Sequence, residues 1–461
     1  MDIDNFETET KQKNPLPTNK NNISQFSIGN TASQVAEDLA FPAKKVKEYW
    51  EKLGPGLTTG ASDDDPSGIG TYSQAGAKYG YAYLWLALFT LPLMAVVQEM
   101  CARIGMVTGI GLAANIRKYY PKKVLYFLTF LLLFANSFNI GADLGIMSKA
   151  MQLLIPSANY YFLLFGFAIF CLLLQVFIPY QRYAKYLKWL SLSLLAYVFS
   201  AFFINLDWSV ILRYTITPKI HFNKDFIILM TGILGTTISP YLFFWQTSQE
   251  VEEQILEGKT TIKARTAITT LNEIKRMRYD VWTGMIFSNL VMFFIMVTCA
   301  ATLFVNNISI EGAADAAVAL RPLVGNEAYL LFSLGIVGIG LLSVPILAGS
   351  ASYAITESFK WHEGLSLKLK QGRGFYGVIF FAMVLGLAAN FLGLNVIQAL
   401  IYAAVLNGLV APIILYYIVR ISSNHRIMGD WKNSNTINFA GWFVTIFMGL
   451  SGVATVVYLI I

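Results

Sequence analysis

The chain has 461 residues, 56% of them hydrophobic and 13% charged. Soluble domains carry about 25% charged residues, so this composition excludes an ordinary soluble protein. The net charge of +7 is a weak argument for nucleic acid, because the placement of the basic residues accounts for it better.

Residues 1–40 are polar and rich in Asn, Thr, Lys and Ser, and are read as a disordered cytoplasmic tail. They lack the apolar core of a signal peptide, so no cleavage is expected. Residues 41–461 form the membrane domain. About 20 apolar residues cross the hydrocarbon core as a helix. The fold class expected is therefore all-α, a polytopic membrane protein with eleven transmembrane helices. The spans lie near 54–78, 81–105, 123–151, 158–179, 186–206, 225–254, 280–305, 327–357, 375–392, 395–419 and 438–461.

Span 1 holds Asp63, Asp64 and Asp65, followed by Pro66, Ser67 and Gly68. Carboxylates at membrane depth are costly and mark ion or proton paths. With proline and glycine beside them, they point to a broken helix with free carbonyls. Near the cytoplasmic end of span 2, Glu99 and Arg103 stand four apart beside Gln98, on one helix face, and read as an ion pair or part of an ion path. On span 3, Asn136 and Asn139 read as interhelical hydrogen bonders, and Asp143 as a vestibule or satisfied interior carboxylate.

Span 6 repeats the pattern of span 1, with Thr236, Thr237, Ile238, Ser239 and Pro240 in mid-span. Broken helices at corresponding places in two halves are the sequence mark of a five-plus-five inverted repeat. Repeat one then covers about 54–206, repeat two about 225–419, and residues 438–461 form an extra helix. Glu250, Glu252 and Glu253 read as a solvated helix end. Gln398 and Asn407 on span 10 are candidates to face the site.

Asp65, Ser67, Thr236 and Ser239, with Asp64 as a further candidate, would make an all-oxygen cavity with the freed carbonyls. Such a cavity favours hard cations such as Mg2+, Ca2+ or Mn2+. Neither break contains Cys, Met or His. Cys101, Cys171 and Cys299 lie in apolar runs without zinc or disulfide spacing, and read as buried small residues. Gly258, Lys259 and Thr260 resemble the end of a phosphate loop, but Glu253 stands where its first glycine belongs, so no nucleotide is expected. His362 and Glu363 lack the second histidine of a zinc protease, since Ser366 occupies its place, and no intramembrane hydrolase is expected.

Of the 34 Lys and Arg residues, 28 fall in the tail and the even-numbered connections. Lys78, Lys149, Arg213, Lys219, Lys224 and Arg321 are the others. This split predicts a cytoplasmic N-terminus and an extracellular C-terminus in the cell membrane.

The run from Gly54-Pro55 to Asp65-Pro66-Ser67-Gly68 resembles the first span of the NRAMP family of divalent-metal transporters, which carries Asp-Pro-Gly-Asn there. Thr236-Thr237-Ile238-Ser239-Pro240-Tyr241 is similar to that family's Ala-x-x-Met-Pro-His. The small-residue run Ala348 to Glu357 is similar to its eighth span. The resemblance covers roughly residues 45–460. It implies a LeuT-like fold, secondary transport by alternating access, no enzyme activity, no bound cofactor and a monomer, with divalent cations and the lipid bilayer as partners.

By position, the family's metal-binding Asp carries over to Asp65, its Asn to Gly68, its Met to Ser239 and its site Ala to Thr236. A thioether is thus replaced by a hydroxyl, and the glycine is expected to open space for a partly hydrated ion. Gln246 stands where the family has a His, and Ile146 where it has a Glu, while Asp143 remains. These departures resemble the NRAMP-related magnesium transporter branch. They imply Mg2+ and Mn2+ uptake without proton coupling. The competing expectations are a proton-coupled Mn2+/Fe2+ transporter and a Na+-coupled organic solute transporter of the same fold.

Overall fold

The computed structural model describes residues 54–178, 194–266 and 269–460. The expected tail, residues 1–40, lies outside the described residues, as do residues 186–193 of span 5. Among the described residues every regular element is helical. The first is α1 (Pro55–Asp63), followed by α2 (Pro66–Tyr79), α3 (Leu84–Thr108), α4 (Leu112–Tyr119), α5 (Lys122–Leu154) and α6 (Tyr160–Phe177). Next come α7 (Leu195–Phe202), α8 (Trp208–Ile216), α9 (Lys224–Thr237), α10 (Pro240–Leu256), α11 (Ile262–Thr266) and α12 (Leu271–Cys299). The rest are α13 (Ala313–Val318), α14 (Arg321–Val324), α15 (Ala328–Phe359), α16 (Arg373–Ala389), α17 (Val396–Ser422), α18 (His425–Met428) and α19 (Asn435–Ile460).

Eight helical stretches among the described residues are long and apolar enough to cross a membrane. One of them, Pro66–Thr108, joins the second half of predicted span 1 to span 2 through a short turn at Gly80. Predicted span 9 is the shorter apolar helix α16. Helix starts follow local chemistry. Asn159, Asn223 and Asn395 accept backbone N–H groups at the starts of α6, α9 and α17. Thr270 and Glu273 form a reciprocal capping box on α12. Gly109 ends α3 in the left-handed region, at φ +63°.

Lipid tails are as apolar as leucine, so helices in a bilayer associate through close packing more than through the hydrophobic effect. Glycines allow that approach here. A Cβ on Gly235 would lie 2.1 Å from Ala404 O, and one on Gly408 2.4 Å from Thr231 O, so α9 and α17 touch backbone to backbone. Gly141 of α5 and Gly386 of α16 meet in the same way. Phe130, Phe134, Phe162 and Phe177 point outward, as a lipid-facing belt requires. The three cysteines are buried and free.

Candidate cation site

Two short breaks meet inside the helix bundle. α1 ends at Asp63, Asp64 and Asp65 are non-helical, and Pro66 opens α2. α9 ends at Thr237, Ile238 and Ser239 are non-helical, and Pro240 opens α10. Each break thus has two non-helical residues, the second of them extended, followed by a proline at the first helical position, where its missing N–H costs nothing. The breaks touch each other. Tyr241 Oη donates to Ser62 O at 2.8 Å, and Tyr72 Oη lies 3.3 Å from Thr237 Oγ1.

Asp65 is 1% exposed and caps α2. Its Oδ1 accepts from the Ser67 hydroxyl and the Gly68 amide, both at 2.7 Å, and its Oδ2 accepts from Asn139 Nδ2 at 2.9 Å. Oδ1 thus has both lone pairs engaged, and Oδ2, with a single bond, keeps lone-pair capacity for a cation. Around it stand buried oxygens without a hydrogen-bond partner among the described residues: Thr236 Oγ1, Asn139 Oδ1 and Asp143 Oδ1. Asp143 lies near enough to Asp65 for their charges to repel, and its Oδ2 accepts from Ser343 at 3.3 Å, with the Ser67 amide also directed at this carboxylate. Orphaned buried acceptors are costly unless a cation, a proton or water satisfies them.

Gly68 is a correction to the sequence reading. A Cβ there would lie 2.9 Å from Thr236 Oγ1 and 3.4 Å from a ring carbon of Tyr72. The space expected from losing an Asn is therefore already taken by a threonine and a tyrosine. Ser239 is a second correction: its hydroxyl turns back to its own helix, 2.6 Å from Thr236 O and 2.9 Å from Gly235 O. It can offer only a lone pair outward. Among the described residues, no three His, Cys, Asp or Glu side chains converge as a metal cluster, so a cation here would need hydroxyl, amide, carbonyl or water ligands.

Asp63 and Asp64 are tied to α12. Ser288 Oγ lies 2.6 Å from Asp63 Oδ2 and 3.2 Å from Asp64 Oδ1, and its single proton serves one at a time. Gln246 is held between Thr59, at 2.6 Å, and Glu250, at 2.9 Å. Glu250 and Glu252 are buried, which corrects the expected solvated helix end; Glu252 accepts from Tyr353, the Leu365 amide and Ser366.

Gln398 sits exposed at the start of α17, far along the helix from its buried Asn407, so it does not line the site. Asn407 shares a helix stripe with Leu400, which meets Gly70 of α2, and Ala404, which meets Gly235 of α9. Neither amide atom of Asn407 has a partner among the described residues.

Glu99 and Arg103 do pair, at 3.8 Å, but within a wider network. Arg278 and Trp282 donate to Glu99 at 2.8 and 3.2 Å, and Arg103 donates to Asn433 at 2.6 Å. These groups join α3 to α12 and to the connection before α19. Glu99→Ala would leave buried Arg103 short of its counter-charge. It is expected to cost about 3 kcal/mol, as for other broken buried pairs, read as a lower unfolding midpoint in detergent. An unchanged midpoint would show the network to be dispensable.

Sequence reasoning missed Asn139 and Ser288 as neighbours of the aspartates. Asn139 stands four residues before Asp143, on the same helix face, and that spacing was the available signal. Ser288 had none.

Known proteins bear on this geometry. The chain is 28% identical over 436 residues to the divalent metal cation transporter MntH of Klebsiella pneumoniae, covering 92% of this chain and 97% of that one. The MntH of Caldanaerobacter subterraneus is 24% identical over 428 residues, covering 90% and 95%. The manganese transporter of Eremococcus coleocola superposes with a TM-score of 0.69 at 15% identity, covering 89% of this chain and 88% of that one. Mhp1, a nucleobase-cation-symport-1 family transporter, superposes at 0.53 with 13% identity, covering 88% and 91%. The family model described as natural resistance-associated macrophage protein-like (Nramp) matches residues 56–458, and the chain belongs to that family.

Proposed function

We propose that this protein moves divalent cations across the membrane by alternating access, taking Mg2+ and also Mn2+, without obligatory proton coupling. The observation that carries the reading is the crossing of two helix breaks at buried Asp65, ringed by the unpartnered oxygens of Thr236, Asn139 and Asp143. The family's relatives named as divalent metal and manganese transporters support the cargo class. Oxygen donors favour hard cations. A sulfur does stand behind the second break, Met292 Sδ at 3.7 Å from Thr237 Oγ1, but Thr237 is a different position from Ser239.

Gln246 cannot relay protons as an imidazole does, and its amide is committed to Thr59 and Glu250. A membrane potential of 100 mV favours entry of a divalent cation by about 4.6 kcal/mol, which is sufficient for uncoupled uptake. In this reading the chain spans the cell membrane eleven times as a monomer with its N-terminus inside. The distribution of Lys and Arg supports that orientation. A reporter fused to the C-terminus and found on the cytoplasmic side would overturn it.

The decisive experiment follows Mg2+, Mn2+ and internal pH separately in proteoliposomes. Mg2+ entry without acidification is the expected result. Absent Mg2+ flux, or Mn2+ entry matched by protons, would sink the Mg2+ and coupling claims respectively. A companion variant, Ser239→Met, places a thioether at the second break and is expected to shift preference toward Mn2+ over Mg2+ about tenfold, the scale of one good soft-ligand contact. Unchanged selectivity would show that cavity size decides instead.

A further inference from the structure

The first half-helix, α1, is packed along α12. α1 and α12 run parallel and in register, with residues paired at a constant offset of 224. The Gly56 amide meets Asp280, Gly60 meets Gly284, and Asp64 meets Ser288. At the start of α1, the Asp280 carboxylate accepts from the amides of Gly54 at 2.9 Å, Gly56 at 2.6 Å and Leu57 at 3.2 Å. These are first-turn N–H groups that no helical carbonyl can satisfy. In the middle, backbones touch: a Cβ on Gly60 would lie 2.3 Å from Gly284 O, and one on Gly284 2.2 Å from Gly56 O. At the far end Ser288 reaches both Asp63 and Asp64. The two attachment points on α12 are two turns apart, about 12 Å of helix rise, which matches the length of α1.

We propose that Asp280 is a positioning residue for the cation site: it straps the start of α1 to α12, and so fixes where the end of α1 presents Asp63, Asp64 and Asp65. The inference rests on the cation-transport reading above. Asp280 touches no cation itself. It acts through a rigid half-helix whose other end carries the carboxylates. Without the strap, α1 keeps its helix but slides against α12, and Asp65 loses its setting against Thr236 and Asn139. Apparent cation affinity therefore falls before turnover does.

The test compares Asp280→Ala and Asp280→Asn with the parent protein in proteoliposomes, using Mn2+ as the probe. Outer-shell partners of metal sites contribute about 10- to 100-fold in affinity. Asp280→Ala is expected to raise the KM for Mn2+ at least about tenfold, with Vmax within about twofold, and Asp280→Asn, which keeps one acceptor, to fall between. A fall in Vmax at constant KM, or no change in either, would overturn the proposal. Should Asp280→Ala fail to fold, Gly284→Ala separates the helices with Asp280 intact, and an unchanged KM there overturns it equally. Amide hydrogen exchange of residues 54–57 gives a readout that needs no transport. Those amides should exchange faster in Asp280→Asn, and undiminished protection would count against the strap. If the parent protein takes up no Mn2+ while the exchange result holds, the transport reading fails and the strap stands.

Discussion

Asp65→Ala should abolish divalent-cation uptake in proteoliposomes, a loss of at least about a hundredfold, the upper end of what outer-shell groups contribute. The residue has two duties, and the structure allows them to be separated. It caps α2 by accepting from the Gly68 amide, and it holds a buried negative charge between Asn139 and the second break. Losing the cap costs about 1 kcal/mol, whereas Asn caps a helix as well as Asp does. Asp65→Asn should therefore unfold at the parent's temperature and still fail to transport. Uptake restored by Asn would show that Asp65 is only a cap, and would move the cation site elsewhere.

Gly235→Leu is expected to cost at least about 3 kcal/mol, the range of severe overpacking in a well-packed interior. The added Cβ alone would meet Ala404 O at 2.1 Å and Gly408 N at 2.2 Å. Those are backbone atoms of α17, and no rotamer change can move them. α9 must then shift away from α17, taking Thr236 with it and disturbing its contact with Gly68. A control is Gly166→Leu on the exposed face of α6, where nothing lies within 4 Å of the new carbon. The control should lose no stability and gain up to about 1 kcal/mol, the helix-propensity cost of an interior glycine. Equal melting of the two variants in detergent would refute the backbone-contact argument.

The breaks were legible because they violate a rule. Three carboxylates and a proline cannot lie in a lipid-buried helix, so Asp63 to Pro66 declared a break before any coordinates. Ser239 and Pro240 were found by their likeness to that first break. The buried glutamates of α10 were not legible. Glu250 and Glu252 follow a long apolar run and read as its wet end, yet Glu252 takes Tyr353, Leu365 and Ser366 as partners from α15 and the loop after it, and Glu250 accepts from Gln246. Gln398 and Asn407 looked alike as polar residues on one span. Only the position of α17 against α2 and α9 separates an exposed side chain from a buried one.

By itself the sequence determined that this chain lives in a bilayer, where its helices are interrupted and that carboxylates stand at the first break. These follow from apolar length, from the backbone chemistry of proline and from the cost of charge in lipid, all local properties. Tertiary structure alone decided what surrounds those carboxylates. It turned Ser239 inward, filled the place beside Gly68 with Thr236, brought Asn139 to Asp65 and set Asp280 under α1. Each of these depends on the register between helices far apart in the chain, which close glycine contacts determine and hydropathy does not encode.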